Sequence, residues 1–398
     1  MGYAQKYKKT MNKLFRLTFV ALALISFVSC AQEEVEVKEE PKAVNVIYMI
    51  GDGMALPQVY GTMIATGQDL AFTHFPYVGV VDTHSASNLI TDSSASGTAL
   101  ACGVKTRNGM VGMDADSVAV ESVLDVMARM GKSAGIVVTC YVTHATPAVF
   151  YANDPKRSNY ENIAAQMAES DNLNVVIGGG RKHFTQRADS INLVERMEKE
   201  LGWKVYDTLA DIDVTCSKYA VLANNDHMPR YSERGDFLSR GVQTALSSLE
   251  RNENGFFLMV EGSQIDFEAH NNDSIGIVNE VVDFSNAINV ALDFAKTHEN
   301  TLVVVAADHE TGGMTLIDPK GHYADPAFRF STHSHTCLPT LVYAYGPGAE
   351  QFTGWMQNSD LKSKIMKACG IEIEVSEETV EPTQQIAPIK ANFDTKAE

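Results

Sequence analysis

Short, uninterrupted apolar runs recur along the chain, and each gives way abruptly to glycine or to an acidic, hydroxyl or imidazole side chain. The runs are VNVIYMI (44–50), AGIVVT (134–139), NVVIG (174–178), GFFLMV (255–260) and TLVVVAA (301–307), with another over 340–345. Runs without polar alternation predict strands buried on both faces, the habit of a parallel sheet. Between them lie stretches of helical periodicity at 118–131 (VAVESVLDVMARMG), 159–169, 236–249 and 274–296. Strand and helix therefore alternate, which predicts an α/β fold with an open, mostly parallel sheet. In such sheets ligands collect outside the carboxyl ends of the strands. The runs lead into Asp52, toward His144 and Thr146, into Gly178 to Gly180, into Glu261 and into Asp308 and His309. This placement predicts that Asp52, Ser93, Thr146, Glu261 and Asp308 converge.

The ends of the chain read differently. Lys6, Lys8, Lys9, Lys13 and Arg16 precede an apolar run from Leu17 to Val28 that is short for a membrane span. This predicts a signal peptide over 1–30, and FVSC at 27–30 fits a loose bacterial lipoprotein signal with Cys30 as the lipid anchor. An ordinary signal peptide with an incidental cysteine is the alternative. The expected location is outside the cytoplasm, periplasmic or anchored to the outer membrane of a bacterium. Residues 31–43 read as a charged tether, 44–370 as one catalytic domain, and 371–398 as a polar, disordered tail. The formal net charge of −18 argues against nucleic acid as a partner. An anionic substrate must then be drawn in locally, by metal or arginine. Six cysteines without close CxxC spacing predict no disulfide framework.

The stretch NLITDSSASGTALACGVKTRNGMVG at 88–112 places Ser93 directly behind Asp92 at a helix start. Unpaired N–H groups and the helix dipole favour an alkoxide or phosphate there. Taken alone, the stretch reads first as a capped helix with a tight packing face. Asp266 and His270 are four apart and share a face if helical, as two metal ligands would; the bland reading is a solvated polar turn. Asp308 and His309 follow the most apolar run, where both would be costly to bury without a cation or a partner. His333 and His335 offer a further imidazole. Mixed histidine and carboxylate sets suit zinc, whereas Glu, Asp and Thr oxygens suit magnesium.

Seven motifs, MIGDGM, TDSSASGTALACGVKTRNGMVG, THATP, GGGRKHF, GFFLMVEGSQIDFEAH, VVAADHETGG and HTCLPTLVYAYGP, resemble those of the alkaline phosphatases, in that family's order over nearly all of 44–350. The resemblance implies a three-layer sandwich with helices on both faces of the sheet. It also implies hydrolysis of small phosphate monoesters through a phosphoserine on Ser93, assisted by two zinc ions and one magnesium ion. Asp266, His270 and His335 would hold one zinc; Asp52, Asp308 and His309 would hold the other, with Ser93. Asp52, Thr146 and Glu261 would complete the magnesium site with His144 in its outer shell, and Arg157 would grip the phosphate. The resemblance leaves a homodimer open. His144 stands where many bacterial members have aspartate, and Phe267 where a lysine or histidine is usual, so magnesium affinity and product release are the expected points of difference.

Sulfatases share the fold but need a C/S-x-P-x-R context that Ser93-Ser94-Ala95 lacks. Diester-cleaving relatives usually lack the third-metal ligands and the arginine, so a diesterase or mixed specificity is the alternative. A non-catalytic phosphate-binding lipoprotein is the less favoured one.

Overall fold

A computed structural model of the chain describes residues 7–9, 11–13, 42–318 and 327–371. These belong to two units, one within Met1–Glu40 and one from Pro41 onward. In the first, 7–9 and 11–13 are helical. The apolar run 17–28, Cys30, the tether through residue 41 and the tail beyond 371 lie outside the described residues.

The second unit is built on strands β1 (Asn45–Gly51), β2 (Tyr77–Asp82), β3 (Ser133–Tyr141), β4 (Val175–Gly179), β5 (Lys204–Tyr206), β6 (Tyr219–Leu222), β7 (Phe256–Gly262) and β8 (Thr301–Ala306). The short strands β9 (Glu310–Thr311), β10 (Met314–Ile317), β11 (Ala327–Phe330) and β12 (His335–Thr336) follow, then β13 (Thr340–Tyr345) and β14 (Gly354–Gln357). Ten of them form one sheet in the order β14-β2-β13-β8-β1-β7-β3-β4-β6-β5. All neighbours pair in parallel except β13, which runs antiparallel to both β8 and β2. The pairs β10–β11 and β9–β12 are separate two-stranded ladders.

Every residue of β1, β7 and β8 is buried, as their unbroken apolar runs require. Alternate side chains feed two cores. Val46, Tyr48 and Ile50 join Leu100, Val123, Ile163 and Ile365 on one face. Ile47 and Met49 join Val59, Val242, Ile277 and Phe284 on the other. The helices Ser93–Cys102, Val123–Arg129, Tyr160–Glu169 and Asp360–Ala368 thus cover one face, and Leu56–Thr66, Phe237–Leu249 and Ser274–Thr297 the other, giving three layers. The 24-residue Ser274–Thr297 is long and apolar enough to cross a membrane, but its apolar face is the lid of the second core.

One predicted helix is shorter than its pattern. Periodicity extends over 118–131, yet the helix begins at Val123, because Ser122 and Asp125 close a reciprocal capping box. The preceding residues are drawn into extended pairing instead, with Ala119 bridged to Met113 and the Val120 N–H donated to the Gly112 carbonyl. Capping and a tertiary partner here outweigh apolar spacing.

Candidate active site

Register fixes the site. Ile50 of β1 lies beside Glu261 of β7 and Ala306 of β8, and Val138 of β3 lies on the other side of Glu261. The segments leaving these four central strands therefore emerge side by side, carrying Asp52, His144, Glu261 and Asp308. Asp52 turns into Gly53, whose N–H donates to Asp308 Oδ1 at 3.0 Å. Gly53 has φ +70°, and a Cβ there would lie 2.9 Å from the Asp266 backbone, so glycine is required on both counts.

Ser93 opens the helix Ser93–Cys102, and Asp92 caps it by accepting from the Ala95 N–H at 3.0 Å. Asp92 also accepts from Ser94 Oγ, from the Gly109 N–H and from Arg157 Nη1 at 3.1 Å. The capping residue thus holds the arginine one residue from the serine hydroxyl. On its other side Arg157 Nη2 lies 3.4 Å from His144 Nε2.

Three groups of ligand-type atoms form, each spanning no more than 4.8 Å: Asp266, His270 and His335; Asp52, Asp308 and His309, the last of which meets Ser93; and Cys140, His144 and Glu261. In the first, the predicted helical spacing holds, since Gln264–His270 is a helix and places His270 Nε2 3.4 Å from Asp266 Oδ1. His335 Nε2 lies 3.2 Å from His270 Nε2 and 3.6 Å from the same carboxylate oxygen. The outer ring nitrogens face carbonyls, His270 Nδ1 that of His333 at 2.7 Å and His335 Nδ1 that of Thr91 at 2.9 Å. A carbonyl can only accept, so each Nδ1 carries a proton and each Nε2 is the nitrogen left to meet a ligand. Two such nitrogens and a carboxylate converge, a donor set a cation would satisfy.

The second group repeats the logic. Thr311 Oγ1 donates to Asp266 Oδ1 at 2.6 Å, which leaves it to accept from His309 Nδ1 at 3.2 Å. His309 Nε2 is the atom turned into the group, 3.4 Å from Asp52 Oδ1, 3.2 Å from Asp308 Oδ2 and 3.2 Å from Ser93 Oγ. Asp52, Asp308 and His309 are fully buried, and Asp52 Oδ1, Asp308 Oδ2 and Glu261 Oε1 have no hydrogen-bond partner among the described residues. Orphaned buried carboxylate oxygens are the mark of a cation's place. Thr146 Oγ1 reaches Asp52 Oδ2 at 3.5 Å, next to Glu261, so the oxygen donors expected of a third position also lie together.

Charge crowding appears in the titration behaviour. Burial, reinforced by Asp308, Asp266 and Glu261, holds the Asp52 carboxyl well above the usual range. Burial pushes Glu261 to about 7. His335 is pushed down to about 4 by burial and by His309, and His144 is lowered by burial and then by Arg157. Asp308 is held at about 2 against the upward push of burial, because the His309 imidazole and the Gly53 N–H favour its charge. Without cations this cluster retains protons; with them the carboxylates ionise.

A family model of alkaline phosphatase matches residues 43–327. The chain belongs to the alkaline phosphatase family. Alkaline phosphatase 4 of Bacillus subtilis (strain 168) is 31% identical, covering 91% of this chain and 97% of its own length. The solved alkaline phosphatase of the Antarctic bacterium TAB5 is 37% identical with a TM-score of 0.80, over 83% of this chain and 100% of its own. A TAB5 variant with a histidine replaced by aspartate, described with Mg bound, is 36% identical with a TM-score of 0.80, over 84% of this chain and 100% of its own. This chain is accordingly a phosphatase, with candidate metal-binding groups of its own.

All eleven predicted site residues of this alkaline phosphatase lie in or against the three groups. Phe267, the departure noted in the sequence, packs edge-on to His144 at 5.8 Å and to His227 at 4.9 Å, forming an apolar wall beside the third group. Sequence reasoning missed Thr311, which links one ligand from each of the first two groups, and Cys140, which joins the third. His333, given no role, contributes its backbone carbonyl to His270. Thr311 stands in the recognised DHETGG motif, where its hydroxyl was a signal; a carbonyl leaves none.

Proposed function

We propose that this alkaline phosphatase hydrolyses phosphate monoesters through a phosphoserine on Ser93, with two zinc ions and one magnesium ion as cofactors. The observation that carries the reading is the gathering of imidazole nitrogens and orphaned buried carboxylate oxygens into compact sets, one of which meets the Ser93 hydroxyl through His309. The residues present fit such ions. Asp266, His270 and His335 make one set of mixed N and O donors, and Asp52, Asp308 and His309 with Ser93 make a second, both of the chemistry zinc favours. Asp52, Thr146 and Glu261 offer hard oxygens for magnesium, with His144 beside them. When bound, these ions supply Lewis acidity, lowering the pKa of a hydroxyl or water and offsetting charge on the phosphoryl oxygens.

The chain's own groups do the rest. Ser93 Oγ is aimed by the first turn of its helix, whose N-terminal dipole favours the anionic ester. The hydroxyl gives its proton to solvent, Oγ bonds to phosphorus as the bond to the alcohol oxygen breaks, that oxygen leaves with the electron pair and takes a proton from water, and water then hydrolyses the phosphoserine to serine and inorganic phosphate. Arg157 offers its planar fork to two phosphoryl oxygens while Asp92 fixes its angle. Phe267 and His144 limit water on one side.

Release of nitrophenol from a monoester and from a diester, with metal analysis on the same sample, tests the reading. Monoester turnover well above diester turnover, with zinc in about twofold molar amount, is expected from two mixed-donor sites. Dominant diester turnover would give the diesterase alternative. Metal-loaded protein that binds phosphate without turnover would make it a binding lipoprotein. We also propose export and lipidation at Cys30, checked by incorporation of a labelled fatty acid that Cys30→Ala abolishes.

A further inference from the structure

Ser96 lies one turn beyond Ser93 on the helix Ser93–Cys102 and is fully buried. A serine or threonine inside a helix commonly turns its hydroxyl back to the carbonyl four residues earlier, as Thr98 does here to the Ser94 carbonyl at 2.8 Å. Ser96 does not. Its Oγ donates out of the helix to the Asp308 carbonyl at 2.6 Å. That oxygen belongs to the peptide joining Asp308 to His309, two residues of the second group. Ser93 meets the same short segment through His309 Nε2 at 3.2 Å, so the start of the helix touches it at two points. Asn358, between β14 and the helix Asp360–Ala368, completes the arrangement. Its Nδ2 donates to Ser96 Oγ at 3.0 Å and to the Thr83 carbonyl at 3.4 Å. The Thr83 carbonyl can only accept, which fixes the amide nitrogen on the Ser96 side. An amide N–H can only donate, so it occupies a lone pair of the serine oxygen and leaves the one serine proton for the Asp308 carbonyl. Asn358 is itself fully buried, and its backbone N–H donates to the Asp82 carbonyl at 3.0 Å.

We propose that Ser96 and Asn358 are positioning residues for the hydrolysis: they hold the Ser93 hydroxyl in place against the group formed by Asp52, Asp308 and His309, and so act on the rate of attack rather than on binding of the phosphoryl group. The inference rests on the reading of Ser93 as the nucleophile. Arg157 is anchored on Asp92, the cap of the same helix, at 3.1 Å, so it follows the helix wherever the helix moves. Asp308 and His309 instead follow β8. The Ser96 bond ties these two parts together through a backbone carbonyl, leaving Asp308 Oδ2, His309 Nε2 and Ser93 Oγ for the chemistry. If the tie is cut, serine and arginine can shift together relative to the loop, which preserves the grip on phosphate and misplaces the attack. A displacement of about 1 Å can cost about a hundredfold in rate. If the pair only satisfied buried polar groups, its loss would lower the melting temperature and leave kcat alone.

That split is the test. Ser96→Ala, Asn358→Ala and the double variant are prepared as full chains with zinc, and kcat for nitrophenyl phosphate, the inhibition constant of inorganic phosphate, zinc content and melting temperature are measured for each. Ser96→Ala is expected to lower kcat about tenfold to a hundredfold, with zinc content unchanged and the phosphate inhibition constant within about twofold of wild type. Asn358→Ala is expected to lower kcat less, and the double variant to be no slower than Ser96→Ala, since both residues act through one bond to Asp308. Wild-type kcat in Ser96→Ala, losses that multiply in the double variant, or a fall in kcat matched by loss of zinc would each overturn the inference. If Ser96→Ala does not fold, Asn358→Ala carries the test through the same split between kcat and phosphate inhibition. Ser93→Ala is assayed alongside. Turnover that survives there refutes the nucleophile reading and this inference with it, whereas an inactive Ser93→Ala beside a fully active Ser96→Ala refutes this inference alone.

Discussion

Replacing Thr311 by valine keeps its volume and removes a single hydroxyl, yet that hydroxyl serves two metal positions at once. It donates to Asp266 Oδ1 at 2.6 Å and accepts from His309 Nδ1 at 3.2 Å, in a fully buried setting. The bond to the carboxylate is charge-assisted and worth about 2 kcal/mol; the bond from the ring is worth about 1 kcal/mol. About 3 kcal/mol of orienting energy is therefore lost, about 2 at the Asp266 position and about 1 at the His309 position, or about thirtyfold and about fivefold in metal affinity. Without its acceptor, His309 also loses the contact that keeps the proton on Nδ1 and leaves Nε2 free beside Ser93. The assay is competition for zinc against a chelator of known affinity, with the two sites resolved. Both sites are expected to weaken in Thr311→Val, and Thr311→Ser is expected to restore them. A valine variant that binds zinc as tightly as wild type, or a serine variant as weak as the valine one, would refute the role given to this hydroxyl.

Ser93→Ala is expected to abolish most turnover while zinc content and melting temperature stay near wild type, since the hydroxyl provides attack and only one of several metal contacts; metal analysis beside a turnover assay checks it. Arg157→Ala is expected to weaken inhibition by phosphate by at most a few kcal/mol, and unchanged inhibition counts against the arginine. Gly53→Ala is expected to destabilise the protein by more than about 1 kcal/mol, because the new methyl meets the Asp266 backbone at a left-handed φ; urea unfolding reads it. Asp283, buried with Arg234 and Glu280, is pushed up to about 6 by burial despite the arginine. The folded state therefore binds that proton more tightly than the unfolded chain, so stability falls as pH rises from about 4 to about 6, on the order of 3 kcal/mol in all. Asp283→Asn is expected to flatten that fall, and parallel slopes for the two proteins would remove Asp283 as its source.

The central strands were legible because β1, β7 and β8 are buried on both faces and so carry unbroken apolar runs. Their carboxyl ends placed Asp52, Glu261 and Asp308, and the Asp266–His270 spacing needed only one helical turn to become geometry. The edge strands β5 and β14 were not legible: their residues are partly exposed, and pairing alone makes them strands. The helix at Val123 started late because a capping box is a stronger local signal than periodicity. Cys140 was passed over because a lone cysteine has no spacing to read, and its neighbours Glu261 and His144 arrive through sheet register and a turn. The carbonyls of Thr91 and His333, which set both histidine tautomers, belong to residues whose side-chain identity says nothing of that task.

His270 and His335 are 65 residues apart in the chain and Ser93 comes from a third segment, so no contiguous stretch contains a complete ligand set. An unfolded chain therefore competes poorly for metal, and nearly all the binding energy accrues to the folded form. By mass action, each tenfold rise in free metal above the dissociation constant adds about 1.4 kcal/mol of stability for every site filled. The protein's lifetime thereby becomes a gauge of its surroundings: scarcity of divalent ions exposes it to unfolding and proteolysis, and abundance locks it shut.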